Sequence, residues 1–150
     1  MSLVQTHLRT LPPPRINPNR PLLPGSPPPS HLPLNPALYI ELAIDSVAPL
    51  MRIRSQKGAA GGGRSLLIPM PIHRRRRRRT AIHWVLEATN KRPEMGVGHV
   101  PGFARRLADE IVAIVEGKSS VWEKRNMVHR MSVQMRINVG TKKKGKRGKG

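Results

Sequence analysis

The sequence feature with the clearest chemical consequence is a run of six arginines at residues 74–79. A guanidinium group is planar, stays charged at any accessible pH and matches two phosphate oxygens at once. Six adjacent guanidinium groups repel one another unless anions lie between them. The run therefore predicts phosphate binding. A solvated charge run or an import signal is the alternative explanation of the same residues.

A second basic cluster surrounds a glycine-rich string. Gly58 and residues 61–63 would let the backbone approach a partner closely, and the cations Arg52, Arg54, Lys57 and Arg64 flank them. The string GAAGGGR lacks the Lys-Ser/Thr ending of a nucleotide-binding loop, and an apolar strand-like run follows it instead of a helix. These residues fit a basic finger laid along RNA better than a nucleotide site.

Other chemistry is poorly represented. The chain has no cysteine, and its histidines follow no metal-ligand spacing. Asp109 and Glu110 are adjacent on a predicted helix, so they point in different directions and do not form a catalytic pair. We expect them to be solvated or paired with Arg105 and Arg106. The sequence predicts neither catalytic residues, nor a metal site, nor a cofactor, and the chain is not expected to be an enzyme.

The overall charge points to a polyanionic partner. Lys and Arg number 28 against 8 Asp and Glu, a formal charge of +20 in 150 residues. Phosphates neutralise such an excess, and binding them releases condensed counterions. No run of about 18 apolar residues occurs, so a membrane partner is not expected. Nucleic acid is the predicted partner.

The elements that would position these cations are mostly helical. Apolar spacing predicts helices over 37–48, 80–92, 103–116 and 120–136, the last opened by a capping box of Ser120 and Glu123. Residues 50–72 predict a β-hairpin, in which Pro69 and Pro71 should deny two ladder donors. A loop is expected over 93–102. Trp84 and Trp122 are expected in the core, with base stacking as the alternative.

The two ends differ from this middle part. Residues 1–36 contain 11 of the 16 prolines and no acidic residue, which predicts a disordered basic extension or a transit segment, with a helix permitted only over about residues 2–10. Residues 139–150 form a Lys-rich tail that includes Lys142, Lys143 and Lys144. The predicted organisation is therefore a Pro-rich extension at 1–36, a mainly α domain with a protruding hairpin arm at 37–138, and the tail.

Several strings together resemble the small-subunit ribosomal protein seven family. They are VAPLMRIR, LLIPMPI, TAIHWVLEATNKR, FARRLADEIV and KRNMVHRM, in this order. The family has a Trp-apolar-apolar-Glu core, a Leu-Ala-Asp/Asn-Glu helix and a Val-His-Arg-Met helix, which match residues 84–87, 107–110 and 128–131. The resemblance extends from about Asn35 to Asn138. The enlarged glycine-rich tip and the arginine run look most like fungal mitochondrial members.

The resemblance implies a protein of the small-subunit head that binds small-subunit rRNA, supports assembly and translation, and contacts neighbouring head proteins. It also implies a hairpin that reaches towards mRNA and exit-site tRNA, and a mitochondrial location. A Pro-rich stretch stands where the family has a basic arm and two further helices. The predicted RNA-binding residues are Arg52, Arg54, Lys57, Arg64, Arg74, Arg75, Arg76, Arg77, Arg78, Arg79, Lys91, Arg92, Lys142, Lys143 and Lys144.

A second hypothesis remains open from the residues alone. A largely disordered cationic chain would also bind nucleic acids, but without a defined site. The helical apolar pattern between residues 80 and 136 discriminates between the two, because a simple polycation does not need it.

Overall fold

The computed structural model describes residues 2–57, 64–93 and 102–139. Within them the fold is mainly α, as the sequence predicted, with a single two-stranded sheet. The elements are α1 (Ser2–Thr10), α2 (Pro36–Val47), β1 (Met51–Gln56), β2 (Leu66–Pro71), α3 (Arg74–Lys91), α4 (Gly102–Val115) and α5 (Val121–Gln134). Short 3-10 turns occupy Pro29–His31 and Met135–Asn138. The predicted glycine-rich tip and most of the predicted 93–102 loop lie outside the described residues.

Helix α2 begins and ends where its sequence predicts. The Asn35 side chain accepts a hydrogen bond from the Leu38 backbone N–H at 3.2 Å, and Pro36 occupies the first helical turn, where a missing donor costs nothing. Ala48 has already left the helical region, and Pro49 follows. A short connection after helix α2 therefore leads directly into β1.

The hairpin keeps its pairing in spite of its two prolines. The register pairs Met51 with Pro71 and Ile53 with Pro69, and Ile72 N–H donates to the Leu50 carbonyl at 3.2 Å. In an antiparallel ladder, hydrogen-bonded pairs alternate with non-bonded ones. Both prolines fall on non-bonded pairs, so the expected loss of two ladder donors does not occur. The spacing of the prolines is compatible with a complete hairpin.

The core is formed where four helices converge. Tyr39 and Ala43 of α2, Val85 of α3, and Ile111 and Ile114 of α4 are all buried. Small residues lie at the helix contacts, since Ala43, Ala81 and Ala108 have no exposed surface, and this allows the backbones to approach closely. Trp122 of α5 is 2% exposed, and its Nε1–H donates to the Ile114 carbonyl at 2.8 Å. The prediction of Trp122 as a core residue is confirmed.

The N-terminal segment corrects the expectation of disorder. Helix α1 covers the residues for which the prolines permit a helix, and it packs against α2 and α4. Leu8 and Leu32 are fully buried, and Val4 and Leu22 join the same core. The prolines suppress long regular elements, but they do not prevent single leucines from being buried. The described residues of this segment therefore contribute to the folded unit.

The junction of α4 and α5 also differs from the prediction in detail. Gly117 ends α4 as expected, with a φ of +73° that favours glycine. Ser120, however, makes no side-chain capping bond; Ser119 Oγ accepts from the Val121 N–H at 3.1 Å instead. Glu123 pairs with Arg20 rather than reaching back to the helix start. The predicted capping box is wrong because N-terminal residues pack against this junction and recruit the glutamate.

None of the described helices combines the length and the apolar character needed to cross a membrane.

Candidate nucleic-acid interface

The arginine run lies inside a helix, which corrects the expectation that it connects a strand to one. Helix α3 starts at Arg74, six residues earlier than predicted, because arginine is a good helix former and the run contains no Gly or Pro. His73 provides no side-chain cap, and the first turn contains no acidic residue. Positive charges at a helix N-terminus oppose the helix dipole, so this end of α3 favours a bound anion.

Helical spacing divides the run into two faces. Arg74, Arg77 and Arg78 are three or four residues apart, so they share one face, which we call the inward face. Arg78 Nε and Nη2 donate to the two Asp45 carboxylate oxygens at 2.6 and 2.5 Å. Arg74 lies 3.5 Å from the same carboxylate, and Arg77 Nε donates to the Pro49 carbonyl at 3.2 Å. The inward face fastens α3 to α2 and to the base of the hairpin.

The inward pairing has an electrostatic signature. The hydrogen bonds from Arg78, reinforced by the charge of Arg74, hold the pKa of Asp45 below its usual range, against the opposing effect of burial. The same pairing raises the pKa of Arg78. Arg74 and Arg78 are therefore paired within the protein itself, and they are less available to an external phosphate than the sequence suggested.

Arg75, Arg76 and Arg79 form the opposite, outward face. All three side chains are exposed, and no carboxylate among the described residues pairs with them. Arg76 and Arg79 line a groove of about 630 Å³ together with Arg52 of the hairpin. The structure therefore brings together cations from both predicted clusters, although Arg52 lies more than 20 residues before Arg76 in the sequence.

The groove has an apolar wall between these cations. It lies between the base of the hairpin, α3 and α5, and Thr80 also lines it. Its apolar lining residues are Pro49, Met51, Ile53, Ile72, Trp84, Val128 and Met131.

The base of the hairpin is held firmly beside the groove. The Leu50 N–H donates to His129 Nε2 of α5 at 3.0 Å. In the same helix, the Arg125 guanidinium lies 5.4 Å from the centre of the Trp122 ring. Burial and the nearby charges of Arg125 and Arg77 hold the pKa of His129 below its usual range. A neutral imidazole is the form that accepts this hydrogen bond. The hairpin orientation therefore depends on an uncharged His129.

The remaining hairpin cations are exposed along the arm. Arg54, Lys57 and Arg64 are all exposed, whereas Ile53 is partly buried towards α5. The alternation of Arg52 and Arg54 with Met51 and Ile53 gives β1 one basic and one apolar face, as the period of two predicted. These cations are placed where they would meet a partner laid along the arm.

The other predicted contact residues have different surroundings. Lys91 pairs with Glu87 at 3.0 Å across one helical turn, and Arg92 Nε donates to Glu110. Glu110 is 3% exposed and also accepts from Ser119 Oγ at 2.5 Å. The expectation that Glu110 is solvated is wrong, because it is a buried anchor between α3, α4 and the start of α5. Lys142, Lys143 and Lys144 lie outside the described residues.

Sequence reasoning missed the groove itself. The sequence predicted a helix over 120–136 and placed Trp84 in the core. It did not predict that Val128, Met131 and Trp84 line one groove with the base of the hairpin. A local sequence pattern cannot predict that the hairpin and α5 lie close together, because these elements are distant in the sequence. The only available signal was that this α5 face ends in methionines, which suit adaptable surfaces.

Across residues 2–57, 64–93 and 102–139 no three His, Asp or Glu side chains converge to hold a metal ion.

Comparison with known proteins identifies the family of the chain. The family model for ribosomal protein S7p/S5e matches residues 29–136. The chain belongs to this family. It is 53% identical over 150 residues, 98% of its length, to small ribosomal subunit protein uS7m of Neurospora crassa, and covers 48% of that relative.

Bacterial relatives match a shorter part of the chain. Small ribosomal subunit protein uS7 of Psychrobacter sp. is 32% identical and that of Azotobacter vinelandii 33% identical, each over 98 residues. These matches cover 65% of this chain and 57% of each relative. The chain thus spans about half the length of the curated relatives it matches. The resemblance inferred from the local strings is confirmed.

Proposed function

We propose that this chain is a structural, non-catalytic constituent of the small ribosomal subunit of mitochondria and that it binds small-subunit rRNA. Membership of the ribosomal protein S7p/S5e family supports the small subunit as its site of action. The Neurospora crassa relative, whose name denotes the mitochondrial form, supports the location, since the identity extends over nearly the whole chain.

The observation that carries RNA binding is the outward face with its groove. Arg75, Arg76 and Arg79 have no carboxylate partner among the described residues, whereas Arg74 and Arg78 of the inward face do. In the first turn of a helix, an unpaired cation such as Arg75 or Arg76 loses about 0.3–1 kcal/mol against the helix dipole. A phosphate placed there removes this cost and releases counterions. The outward face is therefore more favourable with a bound polyanion than in the isolated protein.

The finer contacts follow from the position of the arm. We propose that Arg54, Lys57 and Arg64 extend the phosphate-binding surface along the hairpin, towards mRNA and exit-site tRNA. Neighbouring head proteins would occupy other surfaces. One apolar cleft of about 180 Å³ lies between α1, α2, α3 and α4 and is lined in part by Ile82 and Leu86, which are 42% and 39% exposed.

Sedimentation tests the proposal. A tagged full chain expressed in fungal cells should co-sediment with mitochondrial small subunits at moderate salt. The variant Arg75→Ala/Arg76→Ala/Arg79→Ala should shift towards the top of the gradient. A wild-type chain that stays at the top of the gradient, although it is folded by circular dichroism, would overturn the proposal.

The alternative of a largely disordered cationic binder is not favoured, because the described residues form a packed helical core. Competition distinguishes the two. A defined site should prefer the small-subunit rRNA head fragment over bulk tRNA at equal phosphate concentration, whereas a polycation should bind both alike.

A further inference from the structure

We propose that the groove between the hairpin base, α3 and α5 binds one unpaired nucleobase, which stacks against Trp84 while its flanking phosphates meet Arg52, Arg76 and Arg79. The inference rests on the proposed RNA-binding function and adds to it. It assigns this groove to an unstacked, single-stranded nucleotide rather than to the backbone of a duplex.

The apolar wall is the first reason. Contacts with phosphates alone need no large apolar surface, but Trp84, Met51 and Met131 all line this groove. Trp84 is half-buried and packs only in part against the core, so part of its surface faces the groove. Bases in an A-form duplex are stacked on each other and hide their faces, whereas an unpaired base offers a face to an aromatic side chain.

The rim charges are the second reason. Arg52 approaches from the hairpin, and Arg76 and Arg79 from α3, so cations surround the apolar wall from two elements. None of the three pairs with a carboxylate in the part of the chain that the structure describes. A nucleotide combines an apolar face with a phosphate on either side, and this matches an apolar wall with a divided cationic rim.

The groove is also preformed. Leu50 connects the α5 side of the groove to its hairpin side. Its N–H donates to His129 of α5, and its carbonyl accepts from the Ile72 N–H of the hairpin. Its volume of about 630 Å³ falls within the range of about 300–1,000 Å³ for small-ligand sites. A base that enters therefore needs little reorganisation of the protein, which favours affinity.

Base dependence of binding tests the inference directly. The full chain is titrated with a 12-nucleotide oligoadenylate and with an abasic ribose-phosphate oligomer of the same length. The wild type should bind the oligoadenylate about 10- to 100-fold more tightly, because stacking on an aromatic side chain is worth this much per base. Trp84→Leu should abolish the preference, with an unchanged dependence on salt, since no phosphate contact is removed.

Ile82→Ala is the matched control, because Ile82 lies on the same helix but does not line the groove. It should keep the full preference. Equal affinity of the wild type for the two oligomers would overturn the inference, and so would a preference that survives in Trp84→Leu. Salt-dependent binding of the rRNA head fragment by the same wild-type sample would show that the proposed function stands even if the base site fails.

Photo-cross-linking covers the case in which Trp84→Leu does not fold. The wild-type chain is irradiated with a 12-nucleotide oligomer that carries 4-thiouridine, and the cross-linked peptides are identified by mass spectrometry. Adducts should concentrate on the peptides that contain Trp84, Met51 or Met131. Adducts confined to peptides outside the groove would contradict the inference.

Discussion

The two faces of the arginine run contain the same residue type three times each, yet they have opposite surroundings. Arg78 and Arg74 share the Asp45 carboxylate and Arg77 donates to the Pro49 carbonyl. The outward residues have no such partner in the part of the chain that the structure describes. The difference arises from helical geometry, because residues three and four apart face the same way. A homopolymeric run can therefore serve stability on one side and binding on the other.

The largest expected effect comes from removing the outward face. Arg75→Ala/Arg76→Ala/Arg79→Ala should weaken binding of the small-subunit rRNA head fragment at least about 100-fold at low salt, if each arginine contacts one phosphate. The free energy of unfolding should stay constant or rise, because two of the three cations, Arg75 and Arg76, leave the first turn of the helix. Filter binding and urea denaturation measure the two quantities. If the free energy of unfolding fell by as much as the free energy of binding, the outward face would contribute to stability as well as to binding, which would contradict the division into two faces.

Asp45→Asn makes the complementary change. It removes the carboxylate that receives two hydrogen bonds from Arg78, and it leaves the outward arginines untouched. The free energy of unfolding should fall by about 1–2 kcal/mol, since charge-assisted bonds that are partly buried are lost. The affinity of the folded variant for rRNA should change only a few-fold. Unchanged urea denaturation would contradict the anchoring role of the inward face.

Acidification should weaken the hairpin base by a smaller amount. The pKa of His129 in the folded chain lies below its usual 6.5. At a pH between the lowered pKa and 6.5, the unfolded chain therefore binds a proton at His129 more readily than the folded chain does. This part of the stability is therefore fully present above about pH 6.5 and falls as the pH drops towards the lowered value. His129→Gln should flatten the pH dependence of urea denaturation in that window. A variant with the wild-type pH profile would assign the effect to another group.

The smallest effect is expected at Glu87. Lys124 and then Lys91 lower its pKa to about 2, and the carboxylate lies on the surface, where solvent screens the pairs. Glu87→Gln should reduce stability only slightly at neutral pH, and the difference from the wild type should vanish as the pH falls from about 4.5 towards 2. A large loss at pH 7, with no dependence on acid, would indicate a packing role instead.

Local patterns predicted the fold well where a residue's neighbours in sequence decide its structure. Asn35 and Pro36 start α2, Gly117 ends α4, and the period of two places Arg52 and Arg54 on one side of β1. The start of α3 was missed because a charge run carries no apolar period, although arginine itself favours helix. Buried Leu8 and Leu32 were missed because their partners are distant in the sequence.

The candidate site was predicted in composition but not in arrangement. The sequence identified both basic clusters, yet it could not show that Asp45 pairs with Arg74 and Arg78. Nor could it show that Glu110 pairs with Arg92. Both acidic residues lie in other helices, so their partners depend on tertiary packing. The same holds for the groove, whose walls come from three elements.

The salt dependence of rRNA binding tests the central claim most directly. The logarithm of the affinity is measured against the logarithm of the salt concentration for the wild type, for Arg75→Ala/Arg76→Ala/Arg79→Ala and for Arg9→Ala/Arg15→Ala/Lys118→Ala. The third variant loses the same formal charge from residues that do not line the groove. The outward variant should reduce the slope by about two to three, at roughly 0.9 per phosphate contact, and the control by less than about one. Equal reductions in both variants would mean that only the total charge of the chain matters.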